Sequence, residues 1–202
     1  MAFGVGNTST LPGNAVNTAP KTWSHNNNGG KVVVLFGGGS SNANERDINT
    51  ASYNAVSMGT RAAFQDDGGW SSAAIFALDT ATSGANTVSV NNAENQWNQN
   101  GGCALSIVDG ASGFVNGGNA TGNTANPSTS ATGIQSGDIV CAILSSDAQA
   151  GNTEPSTSGA VEIQDEEDIS SDLDINAFYA VATGTSMTVS WTSSGSGSNW
   201  SI

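Results

Sequence analysis

Two stretches of this chain repeat one pattern, and that pattern constrains the fold more than any other feature. In each stretch an apolar run is followed by a Gly-containing turn and then by a segment in which Thr and Ser alternate with larger apolar residues. The first stretch joins Ala73–Leu78 to Ala81–Val90, and the second joins Ala177–Val181 to Ala182–Trp191. Alternation with a period of two is typical of half-buried strands. The repeat therefore predicts an all-β sandwich in which the same hairpin is used twice.

The rest of the sequence favours a β-rich domain with long polar loops. The 26 glycines and the many Ser, Thr and Asn residues suit tight turns and polar outer faces of strands, and no long helical periodicity with caps is present. A chain of 202 residues has room for one β domain or two small ones. We expect residues 1–20 to form an extended N-terminal arm or a first strand, and residues 21–202 to form a single antiparallel β-sandwich.

Apolar blocks and turn signals locate the main strands. Five regular apolar blocks argue against disorder, and they are Val32–Phe36, Ala73–Leu78, Cys103–Val108, Ile139–Leu144 and Ala177–Val181. The Asn28-Gly29 pair is a strong hairpin signal and predicts that Thr22–His25 and Lys31–Phe36 pair with each other. A shorter hairpin is expected around Asn54.

The charge of the chain excludes two classes of partner. Seventeen acidic residues against four basic ones give a formal charge of −13. Nucleic acids and anionic membranes are bound by Lys and Arg patches, so we expect neither as a partner. The N-terminal sequence lacks a secretory signal pattern, and no apolar run approaches the ~20 residues of a membrane helix. A virion protein, made in the cytoplasm and working outside it, reconciles this start with an extracellular-type composition; a chain whose leader has been removed fits equally well.

The two cysteines lie inside apolar runs. Cys103 opens the run that continues to Val108, and Cys141 lies within Ile139–Leu144. The favoured interpretation is two buried free thiols that act as small core residues. A disulfide between neighbouring strands is the alternative.

No catalytic constellation stands out in the sequence. His25 is the one histidine, and we expect it to be a turn or strand-end residue because no Gly-x-Ser-x-Gly nucleophile motif accompanies it. An enzyme is therefore disfavoured, and no cofactor is expected.

Two features remain as candidate binding residues. The first is an acidic segment expected to form a loop after a strand over Ala160–Gln164; a solvated loop is favoured, and the alternative is a calcium site formed by Asp165, Glu167, Asp168 and Asp172. The second is Trp97, which lies in an Asn/Gln-rich loop and is a candidate for contact with a sugar or a protein partner.

Four blocks of the chain resemble a family of jelly-roll-like β-sandwich modules found in phage structural proteins and in large bacterial surface proteins. The resemblance covers roughly residues 22–202, and the blocks that carry it are Thr22–Phe36, Ala51–Met58, Ala73–Val90 and Ala177–Trp200. Two departures are present: Asn54-Ala55 replaces the family's paired glycines, and the chain ends at Ile202 where the family has a longer last strand. The resemblance implies a jelly-roll-like fold with long Gly/Asn/Ser-rich loops.

The resemblance also implies a binding or structural role. A short chain of this kind is most similar to a capsid decoration (cement) protein on the outer shell of a phage. The expected partners are the major capsid protein and further copies of the chain, as a homotrimer. We expect the N-terminal arm to dock on the shell or on a neighbouring copy through Phe3, Val5 and Leu11. The alternative is a carbohydrate-binding or adhesin module of a tail, fibre or cell surface, with calcium dependence.

Overall fold

The computed structural model of the chain is built from β-strands. It describes residues 4–11, 20–39, 48–59, 63–66, 71–92, 99–108, 113–115, 118–147, 153–169, 173–193 and 200–202. Within these ranges there are seventeen strands and no helix. The strands are β1 (Gly4–Leu11), β2 (Lys21–Asn27), β3 (Lys31–Gly39), β4 (Ile48–Tyr53), β5 (Val56–Ser57), β6 (Ala63–Asp66), β7 (Ser71–Leu78), β8 (Gly84–Asn92), β9 (Gln99–Val108), β10 (Thr121–Gly122), β11 (Ser128–Thr132), β12 (Ile139–Asp147), β13 (Thr153–Pro155), β14 (Val161–Ile169), β15 (Leu173–Val181), β16 (Ser186–Ser193) and β17 (Trp200–Ser201).

These strands form four antiparallel sheets, two from each half of the chain. Residues 4–108 form a first inner sheet, in the order β1-β9-β3-β7-β6, and a first outer sheet, in the order β2-β8-β4-β5. Residues 121–202 form a second inner sheet, β10-β17-β12-β15-β14, and a second outer sheet, β11-β16-β13. The predicted all-β, antiparallel, sandwich-type fold class is confirmed. The chain builds it as two stacked sandwiches, and jelly-roll connectivity is not confirmed.

Three apolar cores hold the four layers together. The first outer sheet packs on the first inner sheet around Tyr53 and Phe76. The two inner sheets pack on each other around Leu35 and Ile175. The second outer sheet packs on the second inner sheet around Trp191, whose ring lies 5.1 Å from that of Phe178. Each inner sheet is therefore buried on both faces.

This layering explains the two kinds of apolar pattern in the sequence. Strands buried on both faces are apolar almost throughout, whereas strands with one solvated face alternate. All five continuous apolar blocks lie in the inner sheets, on β3, β7, β9, β12 and β15. The alternating segments that end at Val90 and at Trp191 lie in the outer sheets, on β8 and β16.

The two halves repeat the same topology. Strands β10 to β13 correspond to β1 to β4, and strands β14 to β17 correspond to β6 to β9. With this correspondence, the strand order is the same in both inner sheets. The outer sheets match likewise, except that β5 has no counterpart among the described strands. Even one turn contact is repeated: the Ala81 amide donates to the Gly30 carbonyl at 2.9 Å, and the Ala182 amide donates to the Asp138 carbonyl at 2.8 Å.

The two inner sheets are related to each other in the same way as the two subunits of a twofold dimer. β1 faces β14, β9 faces β15, β3 faces β12 and β7 faces β17, so the second sheet lies over the first with its lateral order reversed. A twofold contact uses the same surface of both partners. The chain is thus an internal dimer of two similar sandwiches.

The expected hairpins are connections between layers. β7 pairs with β3 and β6 in an inner sheet, while β8 pairs with β2 and β4 in an outer sheet, and the same separation holds for β15 and β16. The predicted pairing of β2 with β3 across Asn28-Gly29 is also wrong, because these strands lie in different sheets. Turn residues indicate that the chain reverses direction. The same reversal occurs in a hairpin and in a connection between two layers, so turn residues alone do not distinguish them. The Asn54-Ala55 hairpin is real, and both residues have positive φ, at 51° and 60°.

The N-terminal segment belongs to the first inner sheet over the residues that the structure describes. Gly4–Leu11 pairs with β9 in an antiparallel register from Gly4↔Val108 to Leu11↔Gly102. Of the two interpretations of residues 1–20, a first strand describes this segment. Its side chains also reach the next layer, because Asn7 Nδ2 donates to the carbonyl of Asn26 in β2 at 2.7 Å.

Candidate functional site

The two inner sheets lie close together at one end. Gly37 of β3 faces Ser145 of β12, and a Cβ on this glycine would lie 3.2 Å from Ser145 Cβ. At the same end Ser145 Oγ donates to the Gly38 carbonyl, and Ser201 Oγ donates to the Ser71 carbonyl at 3.0 Å. Small residues permit this approach, so the sheets are directly hydrogen-bonded here.

At the opposite end the second inner sheet leaves apolar side chains exposed on the face that packs on the first. Cross-strand pairing puts Ile139 opposite Val181, and Tyr179 opposite both Cys141 and Val161. These five residues share one face and form what we call the open-end patch. Val161 is 47% exposed and Val181 is 50% exposed, and the other three are partly buried. Large apolar side chains grouped on a surface mark interaction sites more often than single ones do.

The first half of the chain provides an internal comparison for this patch. The topological repeat places Lys31 and Asp79 where the second half has Ile139 and Val181, at the same end of the stack. Lys31 forms an ion pair with Asp79, and its ammonium lies 5.4 Å from the centre of the Phe114 ring. A charged pair, with Lys31 partly buried and Asp79 exposed, is therefore compatible with this position of the fold. The apolar pair of the second half is not required for folding at this position.

His25 is fully buried between the first outer and first inner sheets. Its Nδ1 lies 3.0 Å from Ser9 Oγ, and its Nε2 lies 2.9 Å from Ser106 Oγ. Ser9 Oγ also accepts a hydrogen bond from Trp23 Nε1 at 3.1 Å. Burial lowers the pKa of His25, so the neutral imidazole is favoured. Both ring nitrogens are engaged by serine hydroxyls, and the ring is inside β2 rather than at the predicted turn or strand end.

The acidic segment is part of an edge strand, not the predicted loop. β14 continues to Ile169 and forms one edge of the second inner sheet, with irregular register at two points. Charged side chains and bulges are the usual means of preventing such an edge from pairing with another chain. Of the candidate calcium ligands, the structure describes the side chain of Asp165; those of Glu167 and Asp168, and all of Asp172, lie outside the described residues. Among described residues, no group of three His, Cys, Asp or Glu side chains is placed to hold a metal ion.

Asn176 organises the carboxylates next to this edge. Its Oδ1 accepts a hydrogen bond from Trp191 Nε1 at 2.8 Å, and because an indole nitrogen only donates, this contact fixes the orientation of the amide. Its Nδ2 therefore faces Glu162 Oε2 at 2.9 Å and Asp165 Oδ1 at 3.4 Å. Partial burial raises the pKa of Glu162, and the neighbouring carboxylates of Asp165 and Glu154 add to the increase, while the bond from Asn176 opposes it.

Both cysteines are free thiols, as the favoured interpretation predicted: Cys103 is buried in the core between the inner sheets, and Cys141 is partly buried and packs against that core. Burial raises the pKa of the Cys141 thiol to about 12. Burial, and then the neighbouring Cys141, raise the pKa of Cys103 as well.

We predict that neither thiol reacts in the native protein. With a pKa of about 12, Cys141 is a thiolate in only about one molecule in ten thousand at pH 8, and the thiolate is the reactive form. Ellman's reagent should detect almost no thiol in the folded chain and both thiols in guanidinium chloride. Rapid release of one equivalent from the folded chain would contradict the raised pKa of Cys141.

Two of the predicted contact residues pack against apolar cores. Val5 packs on the core between the inner sheets, and Leu11 packs on the core between the first inner and outer sheets. Phe3 and Trp97 lie outside the described residues. The open-end patch could not be recognised from the sequence, because Ile139 and Val181 belong to apolar runs whose other members are core residues. The signal that could have found it is the replacement, at the matching position, of the charged pair Lys31–Asp79.

Nothing among known protein families, curated proteins or solved structures matches this chain. Within the described residues, no helix is long and apolar enough to cross a membrane.

Proposed function

We propose that this chain is a non-enzymatic virion structural protein, a decoration protein on the outside of a phage capsid. Its partners are the major capsid protein and further copies of the chain, as a homotrimer. The observation that carries the proposal is the open-end patch, which exposes apolar side chains where the repeated half of the fold uses an ion pair. A site for docking on another protein is what such a surface provides.

The chemistry of the described residues supports a role without catalysis. Catalysis by a histidine needs a free ring nitrogen next to a nucleophile that substrate can reach. The ring of His25 is buried, and its two nitrogens are occupied by Ser9 and Ser106. The amide of Asn176 likewise holds Glu162 and Asp165 together.

Charge and burial also fit a surface-bound structural protein. A formal charge of −13 keeps the chain away from packaged nucleic acid and from anionic membranes. The acidic edge strand β14 resists uncontrolled strand pairing with neighbouring copies. Contacts between copies and the shell would then be made by the uncharged open-end patch.

The proposal predicts that two substitutions in the patch weaken binding to the shell. Replacing Val161 and Val181 together with serine removes exposed methyl groups whose burial is worth on the order of 2 kcal/mol in total. We expect the affinity for purified shells that lack the protein to fall about 30-fold, measured by cosedimentation over a range of concentrations. Cryo-electron microscopy of the wild-type mixture should show ordered density on the shell.

Val56 provides the matched control for this experiment. It is a valine with the same exposed fraction as Val161, 47%, but it lies on β5 in the first outer sheet. Val56→Ser should bind shells like the wild type. Equal losses for the control and the patch variant, or no loss for either, would contradict the role of the patch. Absence of wild-type density from the shell would contradict the decoration function, and a glycan array would then test the alternative of a carbohydrate-binding module.

A further inference from the structure

A second polar site lies between the second inner and second outer sheets. Asp174 of β15 is 2% exposed, and Ser146 of β12 lies directly opposite it on the same face of the sheet. Asn176 is two residues further along β15 and shares this face. A buried carboxylate beside buried hydroxyls is a set of oxygen ligands of the kind that hard cations bind.

Two buried hydroxyls at this site have no hydrogen-bond partner. They are Ser146 Oγ and Thr153 Oγ1, and both residues are 1% exposed. Thr153 belongs to β13, which packs over β15, and its carbonyl accepts from Asn176 Nδ2 at 3.3 Å. Pro155 is two residues along and pairs with Trp191, whose side chain packs into the core, so Thr153 points inward toward the same face. Buried hydroxyls are nearly always hydrogen-bonded, and an unsatisfied pair indicates a bound water or ion.

The fold itself does not require a carboxylate here. The topological repeat places Gly38 and Ser72 of the first half at the positions of Ser146 and Asp174. The first half is therefore built without an acidic residue at this point. At these two positions the second half therefore has a hydroxyl and a carboxylate where the first half has small neutral residues.

The electrostatic environment favours a cation over a water molecule. Glu162, Asp165 and Glu154 lie at the neighbouring edge, and the first two meet at the amide of Asn176. A cation at this point would reduce the repulsion among these carboxylates as well as satisfy the hydroxyls.

We propose that Asp174, Ser146 and Thr153 bind one calcium ion between the second inner and outer sheets. Calcium accepts oxygen ligands in irregular geometry, including carboxylates, hydroxyls, carbonyls and water, whereas magnesium requires a near-octahedral set. With one carboxylate from these three residues, the affinity should lie in the millimolar range of extracellular calcium modules. This site has a single carboxylate and two hydroxyls, so it is different from the acidic segment that the sequence suggested as a calcium site.

The test compares the effect of calcium on the wild type and on a variant whose charges are unchanged. In 10 mM calcium chloride, at constant ionic strength, we expect the melting temperature of the wild type to rise by about 4 °C. The double substitution Ser146→Ala/Thr153→Val removes the two hydroxyls and keeps every charge, so general screening of the acidic surface is the same. Its melting temperature should respond to calcium by less than about 1 °C.

Two further measurements keep the outcome decisive. Ser145→Ala, which changes the next residue on the opposite face of β12, should retain the calcium shift. Equilibrium dialysis should find one calcium ion per wild-type chain that Asp174→Asn lacks, even if the double variant does not fold. Equal shifts in the wild type and the double variant, or equal dialysis values for the wild type and Asp174→Asn, would overturn the proposal. Because shell binding is not measured in either experiment, the outcome is independent of the decoration function.

Discussion

Replacing His25 with alanine is expected to lower the free energy of unfolding by about 3 kcal/mol, the sum of a buried cavity and a lost pair of hydrogen bonds. The imidazole links three strands in two layers, since its partners are Ser9 on β1 and Ser106 on β9 while the ring itself is on β2. Thermal unfolding monitored by tryptophan fluorescence should show a melting temperature about 9 °C below that of the wild type. Ser24→Ala, an exposed change on the same strand, should stay within about 1 °C of the wild type.

A double-mutant cycle separates the hydrogen bond from the packing. His25→Leu keeps most of the volume but leaves the buried Ser106 hydroxyl without its partner, and Ser106→Ala leaves Nε2 without its own. When both are changed, no polar group of this pair remains unsatisfied, so the double variant should be more stable than the sum of the single effects by about 1 kcal/mol. Strict additivity would show that the Ser106–His25 contact does not contribute to stability.

His25 should also make the stability of the folded chain sensitive to acid. The pKa of His25 is lowered in the folded state, so the unfolded chain binds the proton at a higher pH than the folded chain does. The contribution of His25 to stability is therefore constant above about pH 6.5. It falls as the pH drops below this value, until the folded histidine is also protonated. The His25→Leu variant should lack this component, and its melting temperature should decline less steeply than that of the wild type between pH 7 and pH 5.5.

The sequence predicted the class of fold because strand periodicity is local, but the layers are set by pairing over long distances. Alternation around Val88 and Val189 correctly marked half-buried strands, and the continuous apolar runs correctly marked core strands. Whether two successive strands pair or separate into different sheets depends on which partner each one finds, and for β7 those partners are β3 and β6. The repeated pattern was thus a sign of a duplicated topology, and not of a duplicated hairpin.

Site residues could not be predicted from the sequence where a candidate site depends on the absence of a neighbour. Val181 is indistinguishable in sequence from Ala177 or Phe178, because all three belong to one apolar run, yet it is half exposed while the others are buried. Val181 is exposed because the first inner sheet does not cover this end of the second inner sheet. No local sequence pattern encodes how far one sheet covers the other. The polar network of His25 was equally hidden, since Ser9 and Ser106 lie 16 and 81 residues away from it.

Replacing Asn176 with aspartate is expected to lower the melting temperature by about 9 °C at pH 7, corresponding to about 3 kcal/mol. The new carboxylate could still accept from Trp191, but it would no longer donate to Glu162 and Asp165. Three carboxylates would then meet at one point, and like charges so close raise the pKa of each other. Because a pKa raised by folding adds stability at low pH and removes it as the pH rises, the difference from the wild type should shrink steadily toward pH 4.

Two controls assign this effect to charge at that position. Asn26→Asp adds the same charge at an exposed site on β2 and should change the melting temperature by less than about 2 °C at either pH. Asn176→Ala removes the amide without adding charge, so its loss of stability should depend less on pH than that of the aspartate variant. If the aspartate variant is as stable at pH 7 as Asn26→Asp, then the amide is not what keeps Glu162 and Asp165 together. If its deficit persists unchanged at pH 4, the loss comes from packing, because protonation would restore a donor and remove the repulsion.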